Sequence, residues 1–217
     1  MHRNAPRARV RRGLALTALL LAAASGLATA AVTLPGAGAP VAVAGWTSGD
    51  DSKQKLRRSA AGAGVATLNA GAAGYYMDVL EAKLRERLDR SGVGVARRGE
   101  EITLSMPAAL VFAGDGADLN PAFGRVLDGV ANVLGHYEKT VLEVAGHGDE
   151  RDGDAAPAGA RAATVAAYLE RRGIAASRIL RFGAGASHPL GHGAGESGRA
   201  RNRRIELTVV PLVREAG

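Results

Sequence analysis

Between Ile102 and Val210 short β-branched runs alternate with longer stretches of helical period, and a chain so patterned has few folds open to it. Ile102–Met106 reads as a strand closed by Pro107, because its apolar residues fall on every second position. Asn120-Pro121 then sets a helix start: an N-cap side chain followed by proline at the first helical position, where the missing N–H has no partner to lose. That helix places Phe123, Val126, Leu127, Val130, Val133, Leu134 and Tyr137 on one stripe. Val141–Ala145 is a second strand. Arg161–Arg172 is a second helix, with Val165, Tyr168 and Leu169 inward and Gly173 at its C-terminus. Ile179–Phe182 and Ile205–Val210 are the last two strands. The order β-α-β-α-β-β predicts a small α/β (α+β) sandwich over residues 100–212, with the helices on one face of a mixed sheet. Aromatics are only 4% of the chain against 47% hydrophobic residues in all, so the core must be built from Val, Leu, Ile and Ala.

The formal charge of +7 suggests a polyanion partner until its position is considered. Residues 1–30 hold Arg3, Arg7, Arg9, Arg11 and Arg12 and no acid, so without them the charge is 7 − 5 = +2. A remainder near neutrality gives no support to nucleic-acid binding. The same thirty residues read as an export signal: an Arg-rich start, an apolar run from Leu14 to Ala24, and the small-x-small pattern Ala28-Thr29-Ala30. The alternative is an uncleaved anchor, since Leu14 to Val32 approaches the ~20 apolar residues of a membrane span. Both readings put the bulk of the chain outside the cytoplasm. With 0 Cys there is no disulfide, thiolate metal site or Cys-linked lipid to consider.

Residues 31–58, rich in Gly, Pro, Ala, Ser and Asp, read as a flexible linker. Residues 59–91 follow as a helical Gly/Ala-rich segment plus an amphipathic helix. Gly62, Ala66, Ala70 and Gly74 fall four apart, which on a helix makes a flat ridge for close packing against a second helix, in or out of a membrane. A flexible Ala/Gly stretch is the other reading. A membrane or envelope partner, or a second copy of this chain, would engage here. The amphipathic helix puts Met77, Leu80, Leu84 and Leu88 on one face and pairs Glu81 with Arg85 and Glu86 with Arg90.

Polar residues cluster where the periodic segments end. Gly146-His147-Gly148-Asp149 follows the second strand, Arg161-Ala162 opens the second helix, and Arg201-Asn202-Arg203-Arg204-Ile205-Glu206 enters the last strand. Asp149 and Arg161 thus stand at one end of a single strand–loop–helix unit, where one pocket can receive both. Taken singly, an Asp in a Gly-rich loop is a turn former and an Arg at a helix start is a surface residue. An enzyme is poorly supported. His136, His147, His188 and His192 show no helical spacing with a carboxylate for zinc, and no G-x-S-x-G elbow is present. We therefore expect no catalytic residue, no metal and no cofactor.

At these residues the chain resembles the OmpA/MotB C-terminal domain family, whose pattern runs G-H-T-D, then N-x-x-L-S-x-x-R-A-x-x-V, then R-N-R-R-V-E. The resemblance extends to Phe112 with Ala117-Asp118-Leu119 and to Gly183-Ala184-Gly185 with Pro189. Gly74-Tyr75-Tyr76-Met77-Asp78 after the Gly/Ala stretch is similar to glycine-zipper OmpA-like envelope lipoproteins, without their lipidated Cys. The resemblance implies non-covalent binding of peptidoglycan at the diaminopimelate of its stem peptide. Asp149 would hold the ligand ammonium and Arg161 its carboxylate, with His147, Gly148, Asp154 and Arg204 around them. A guanidinium suits the second role because its planar fork gives a carboxylate two parallel hydrogen bonds. Backbone N–H groups at a helix start beside Arg161 would add to the anion site. The chain departs from the pattern in three places: Gly148 replaces Thr, Asp154 stands at the Asn, and Pro157-Ala158 replace L-S. The interval from Asp149 to Arg161 is also shorter than the family's, so the loop must be built differently. The rival to wall binding is a membrane-associated assembly protein of stator or channel type, in which the Gly/Ala segment acts and the C-terminal domain is scaffold.

Overall fold

The structure is a computed structural model that describes residues 50–149, 155–190 and 195–214. In chain order the elements are α1 (Asp50–Gly62), α2 (Ala73–Arg87), β1 (Gly94–Arg98), β2 (Glu101–Pro107), α3 (Ala108–Val111), α4 (Pro121–His136), β3 (Thr140–His147), α5 (Ala155–Arg171), β4 (Ile179–Gly185), α6 (Glu196–Asn202) and β5 (Arg204–Pro211). Among the described residues five strands form one sheet in the order β1-β2-β5-β3-β4. All neighbours are antiparallel except β3 and β4, which are parallel and joined through α5. A parallel pair needs such a crossover, and a helix is the usual means. The sheet is mixed, and α2, α4 and α5 pack on one face of it, as the alternation of periods predicts.

That face holds the main core: Ile102, Leu104 and Met106 of β2, Leu142 and Val144 of β3, and Ile205, Leu207 and Val209 of β5. Against them pack Met77, Leu80 and Leu84 of α2, Leu127, Val130 and Leu134 of α4, and Ala162, Val165 and Leu169 of α5. Asn120 caps α4 as expected, its side chain accepting from the Ala122 N–H at 3.0 Å. Glu81 and Arg85 also pair, at 2.7 Å. Glu86 and Arg90 are not in the helical geometry expected of them. α2 ends at Arg87, and Arg90 lies beyond it in left-handed backbone (φ 57) with its guanidinium 3.4 Å from Asp89.

The opposite face is partly covered as well. Leu56 and Ala60 of α1 pack on Val141, Ala145, Leu180, Phe182, Val210 and Leu212 in a second, smaller cluster. Lys53 ties α1 to the start of β2 through Glu101, 2.5 Å away. β3 is therefore buried on both sides. The linker expected over 31–58 gives way to helix from Asp50, because Leu56 and Ala60, one turn apart, find an apolar sheet face to cover. The remainder of that linker and the export signal lie outside the described residues.

The four-residue Gly/Ala ridge does not form. α1 stops at Gly62, Gly64 turns the chain in left-handed backbone (φ 82), and Leu68 bridges to Val213 beside the end of β5. Leu68 is buried there, its N–H donating to the Leu212 carbonyl at 2.7 Å. Gly62 and Gly74 thus belong to different helices. No described helix is long and apolar enough to cross a membrane.

β1 was not expected. Its sequence, Gly94-Val95-Ala96-Arg97-Arg98, carries no apolar alternation, and it forms an edge strand held by pairing with β2 across a two-residue turn at Gly99 (φ 56). Arg97 further ties it to α2, 3.5 Å from Asp78 and 3.9 Å from Glu81.

Candidate functional site

β3 delivers the Gly-His-Gly-Asp run to the C-terminal end of the sheet's centre. His147 pairs with Arg204 of β5 and, across a register shift, with Gly185 of β4. The Gly148 N–H donates to the Gly185 carbonyl at 3.0 Å, so the first residues after the strand are still fixed to the sheet. Asp149 follows and is 3% exposed, a degree of burial an ionised carboxylate accepts only with a partner. Arg203 supplies one: Nη1 lies 2.5 Å from Oδ2. The other arm of Arg203 reaches Glu196 of α6, Nη2 to Oε1 2.8 Å, and Glu196 also meets Arg199 at 2.9 Å. Glu196 and then Asp149 raise the Arg203 pKa above its ordinary value, while Arg203 and then Arg199 lower that of Glu196.

On the face opposite the main core, Arg204 and Glu206 form a second ion pair, with His147 beside it. Arg204 Nε donates to Glu206 Oε1 at 2.7 Å, and its Nη atoms donate to the carbonyls of Asn202 (3.2 Å) and His188 (3.1 Å). His147 Nε2 is 3.4 Å from Glu206 Oε2, too long for a strong hydrogen bond, so Arg204 makes the tighter contact. His147 and then Arg204 hold the Glu206 carboxyl well down, at about 2, against the opposing pull of burial. A carboxyl with a depressed folded pKa contributes stability that is present above its unfolded value and lost as pH falls through the folded one. The shift from 4.5 to about 2 corresponds to about 3 kcal/mol. Unfolding free energies measured by urea titration should therefore fall between pH 5 and pH 2 by about that much more in the native chain than in Glu206→Gln. Parallel profiles would remove the ion pairs from the account.

Arg161 stands on α5, whose backbone is pressed on β3 at Gly146. A Cβ built there would come 1.9 Å from the Ala158 carbonyl oxygen. Arg161 is one turn further along, and helical side chains lean toward the N-terminus, so its guanidinium is directed to the end of the sheet where β3 delivers Asp149. It is 5% exposed. Nε donates to the Gly116 carbonyl at 3.0 Å and Nη2 to that of Asp115, and the guanidinium carbon lies 5.9 Å from the Phe112 ring centroid. It thus braces the loop between α3 and α4. The expected helix start at Arg161 is corrected: α5 begins at Ala155, so the Arg161 backbone is inside the helix and its N–H is no free anion donor. Ala-rich sequence ahead of Arg161 extends the helix, as Ala has the best helix propensity. Asp154 lies outside the described residues.

The sequence motif places Arg204 rather than Arg203 at the site, names Glu206 in the same cluster without a role, and leaves Glu196 out. Side chains alternate along a strand, so adjacent Arg203 and Arg204 at the start of β5 point apart, one to each face, but alternation alone does not say which of them meets Asp149; the structure gives that contact to Arg203. Nothing in the sequence marks Glu196, which meets Arg203 only because α6 turns it back.

Comparison with known proteins bears on the family and the fold. Residues 111–203 match the OmpA family. The probable lipoprotein YiaD of Escherichia coli K12 is 42% identical over 145 residues, 65% of this chain and 66% of that protein. The peptidoglycan-binding protein ArfA of Mycobacterium tuberculosis is 37% identical over 103 residues, 46% of this chain but only 32% of its own length. A MotB-like protein from Desulfovibrio vulgaris superposes with a TM-score of 0.58 over 74% of this chain and 99% of that one; at 21% identity the likeness is one of fold.

Proposed function

We propose, because residues 111–203 form an OmpA-like domain, that this chain binds peptidoglycan non-covalently and tethers the cell envelope to the wall. It acts as an exported protein, periplasmic or associated with the outer membrane, and carries out no catalysis. The observation that supports the reading is that Asp149 and Arg161, oppositely charged, are both buried and belong to a single strand–loop–helix unit. The name of ArfA, a peptidoglycan-binding protein, supports the ligand class.

The finer part of the proposal is the ligand group. The tip of a diaminopimelate-containing stem peptide carries an ammonium and a carboxylate a few atoms apart. A fixed anion at Asp149 and a fixed cation at Arg161 match both, and each is already desolvated, so its contact with the ligand is strong. Gly148 adjoins Asp149 in the chain, and His147 and Arg204 support the strand end from the opposite face of the sheet, where Arg204 holds Glu206 at 2.7 Å. Each charge-assisted contact contributes roughly 1.5–3 kcal/mol. Asp149→Ala and Arg161→Ala should therefore each reduce retention on purified sacculi by about tenfold or more, with folding checked by circular dichroism. Equal retention of both variants and the native chain overturns the assignment.

A further inference from the structure

We propose that Arg203 is a resident stand-in for the ligand ammonium on Asp149, and that it must pass wholly to Glu196 before the wall peptide can be held. The inference rests on the reading of Asp149 as the ammonium anchor. A carboxylate 3% exposed cannot be left without a countercharge, and in this structure Arg203 provides it at 2.5 Å. The same guanidinium is already shared with Glu196 at 2.8 Å, whose side chain is 63% exposed. The exchange therefore needs only a rotation of the Arg203 side chain. Its backbone stays pinned, the N–H donating to the Arg199 carbonyl (3.0 Å) and the carbonyl accepting from Ala108 (2.9 Å).

Two consequences follow for binding. The apparent affinity is reduced by the fraction of molecules in which Arg203 still occupies Asp149. A simple amine must compete with an intramolecular cation and gains nothing else. A zwitterion that also brings a carboxylate to Arg161 has a second contact to drive the exchange, so the stand-in selects for ligands carrying both charges.

The test is calorimetric titration of the full chain with meso-diaminopimelate, for the native protein, Arg203→Met, Glu196→Gln and Asp149→Ala. Arg203→Met should bind about threefold tighter or more, since the ligand ammonium no longer competes with the Arg203 guanidinium. Glu196→Gln should bind about twofold weaker or more, because the displaced guanidinium loses its second seat. Asp149→Ala should abolish binding. Changes of opposite sign at Arg203 and Glu196 are not expected of residues that merely support the fold. Should Arg203→Met fail to fold, Arg203→Gln, which keeps a donor for Asp149 but carries no charge, should lie on the tighter side of the native chain. Unchanged or weaker binding in the Arg203 variants, with binding still abolished in Asp149→Ala, overturns the stand-in and leaves the anchor intact. Native-like binding by Asp149→Ala removes both.

Discussion

Gly146→Ala is expected to destabilise the protein by about 3 kcal/mol or more, the upper part of the range for overpacked cores. The added methyl would lie 1.9 Å from the Ala158 carbonyl oxygen and 2.6 Å from its carbon. Both are helix backbone, so no side-chain rotation relieves the clash. Relief requires α5 to lift from β3, and α5 carries Ala162, Val165, Ala166 and Leu169 into the core. At roughly 2–4 °C per kcal/mol for a domain of this size, the melting temperature should fall by about 10 °C. Because Arg161 rides on α5, wall binding should weaken in the same variant even below its melting temperature. A melting temperature unchanged from the native protein would mean that the helix stands further from the strand than described.

Arg178→Ala should have an effect of similar size for a different reason. Arg178 is buried, and its guanidinium donates to the Thr140 carbonyl (2.8 Å), the Thr140 hydroxyl (2.9 Å), the Tyr137 carbonyl (3.0 Å) and the Leu134 carbonyl (3.3 Å). Those acceptors lie at the C-terminal end of α4 and the entry to β3; the Leu134 carbonyl also accepts from the Tyr137 N–H (3.3 Å) and the Tyr137 carbonyl from the Thr140 hydroxyl (2.8 Å), so Arg178 completes their bonding and ties the segment together. Each buried acceptor left unsatisfied costs roughly 1–3 kcal/mol, and removing the guanidinium takes a donor from the Thr140 carbonyl and from its neighbours at once while leaving a void where the buried side chain stood. The expected loss in urea unfolding is about 3 kcal/mol or more, with Arg178→Lys recovering only part, since an ammonium lacks the planar reach of the guanidinium. Full stability in Arg178→Ala would show that water satisfies these carbonyls instead.

Neither residue announces its importance in the sequence. Gly146 was legible as part of a motif, but its physical reason, a helix backbone lying on the strand, exists only once α5 is docked. Arg178 sits in the short Gly173–Arg178 connection between α5 and β4 and reads as a surface residue. The strands that alternate cleanly, β2 and β5, and the helix that opens at Asn120-Pro121 were legible because period and cap chemistry are local. β1 was not, because an edge strand with Arg97 and Arg98 gains its place from pairing with β2 and from Asp78 and Glu81. α1 was hidden by its many polar residues: only Leu56 and Ala60 face the sheet, and two apolar positions make no visible stripe. In the site, the motifs single out Asp149 and Arg161, and both are buried. The partners they hold, Arg203 and the carbonyls of Asp115 and Gly116, come from tertiary contacts between segments far apart in the chain.

The wall-binding account depends on two buried opposite charges receiving the two charges of one ligand group. A crystal structure of the chain with meso-diaminopimelate tests this most directly. The account predicts the ligand ammonium within hydrogen-bond distance of the Asp149 carboxylate and a ligand carboxylate on the Arg161 guanidinium. Clear density for the ligand elsewhere on the protein, with both side chains still in their present contacts, would contradict it.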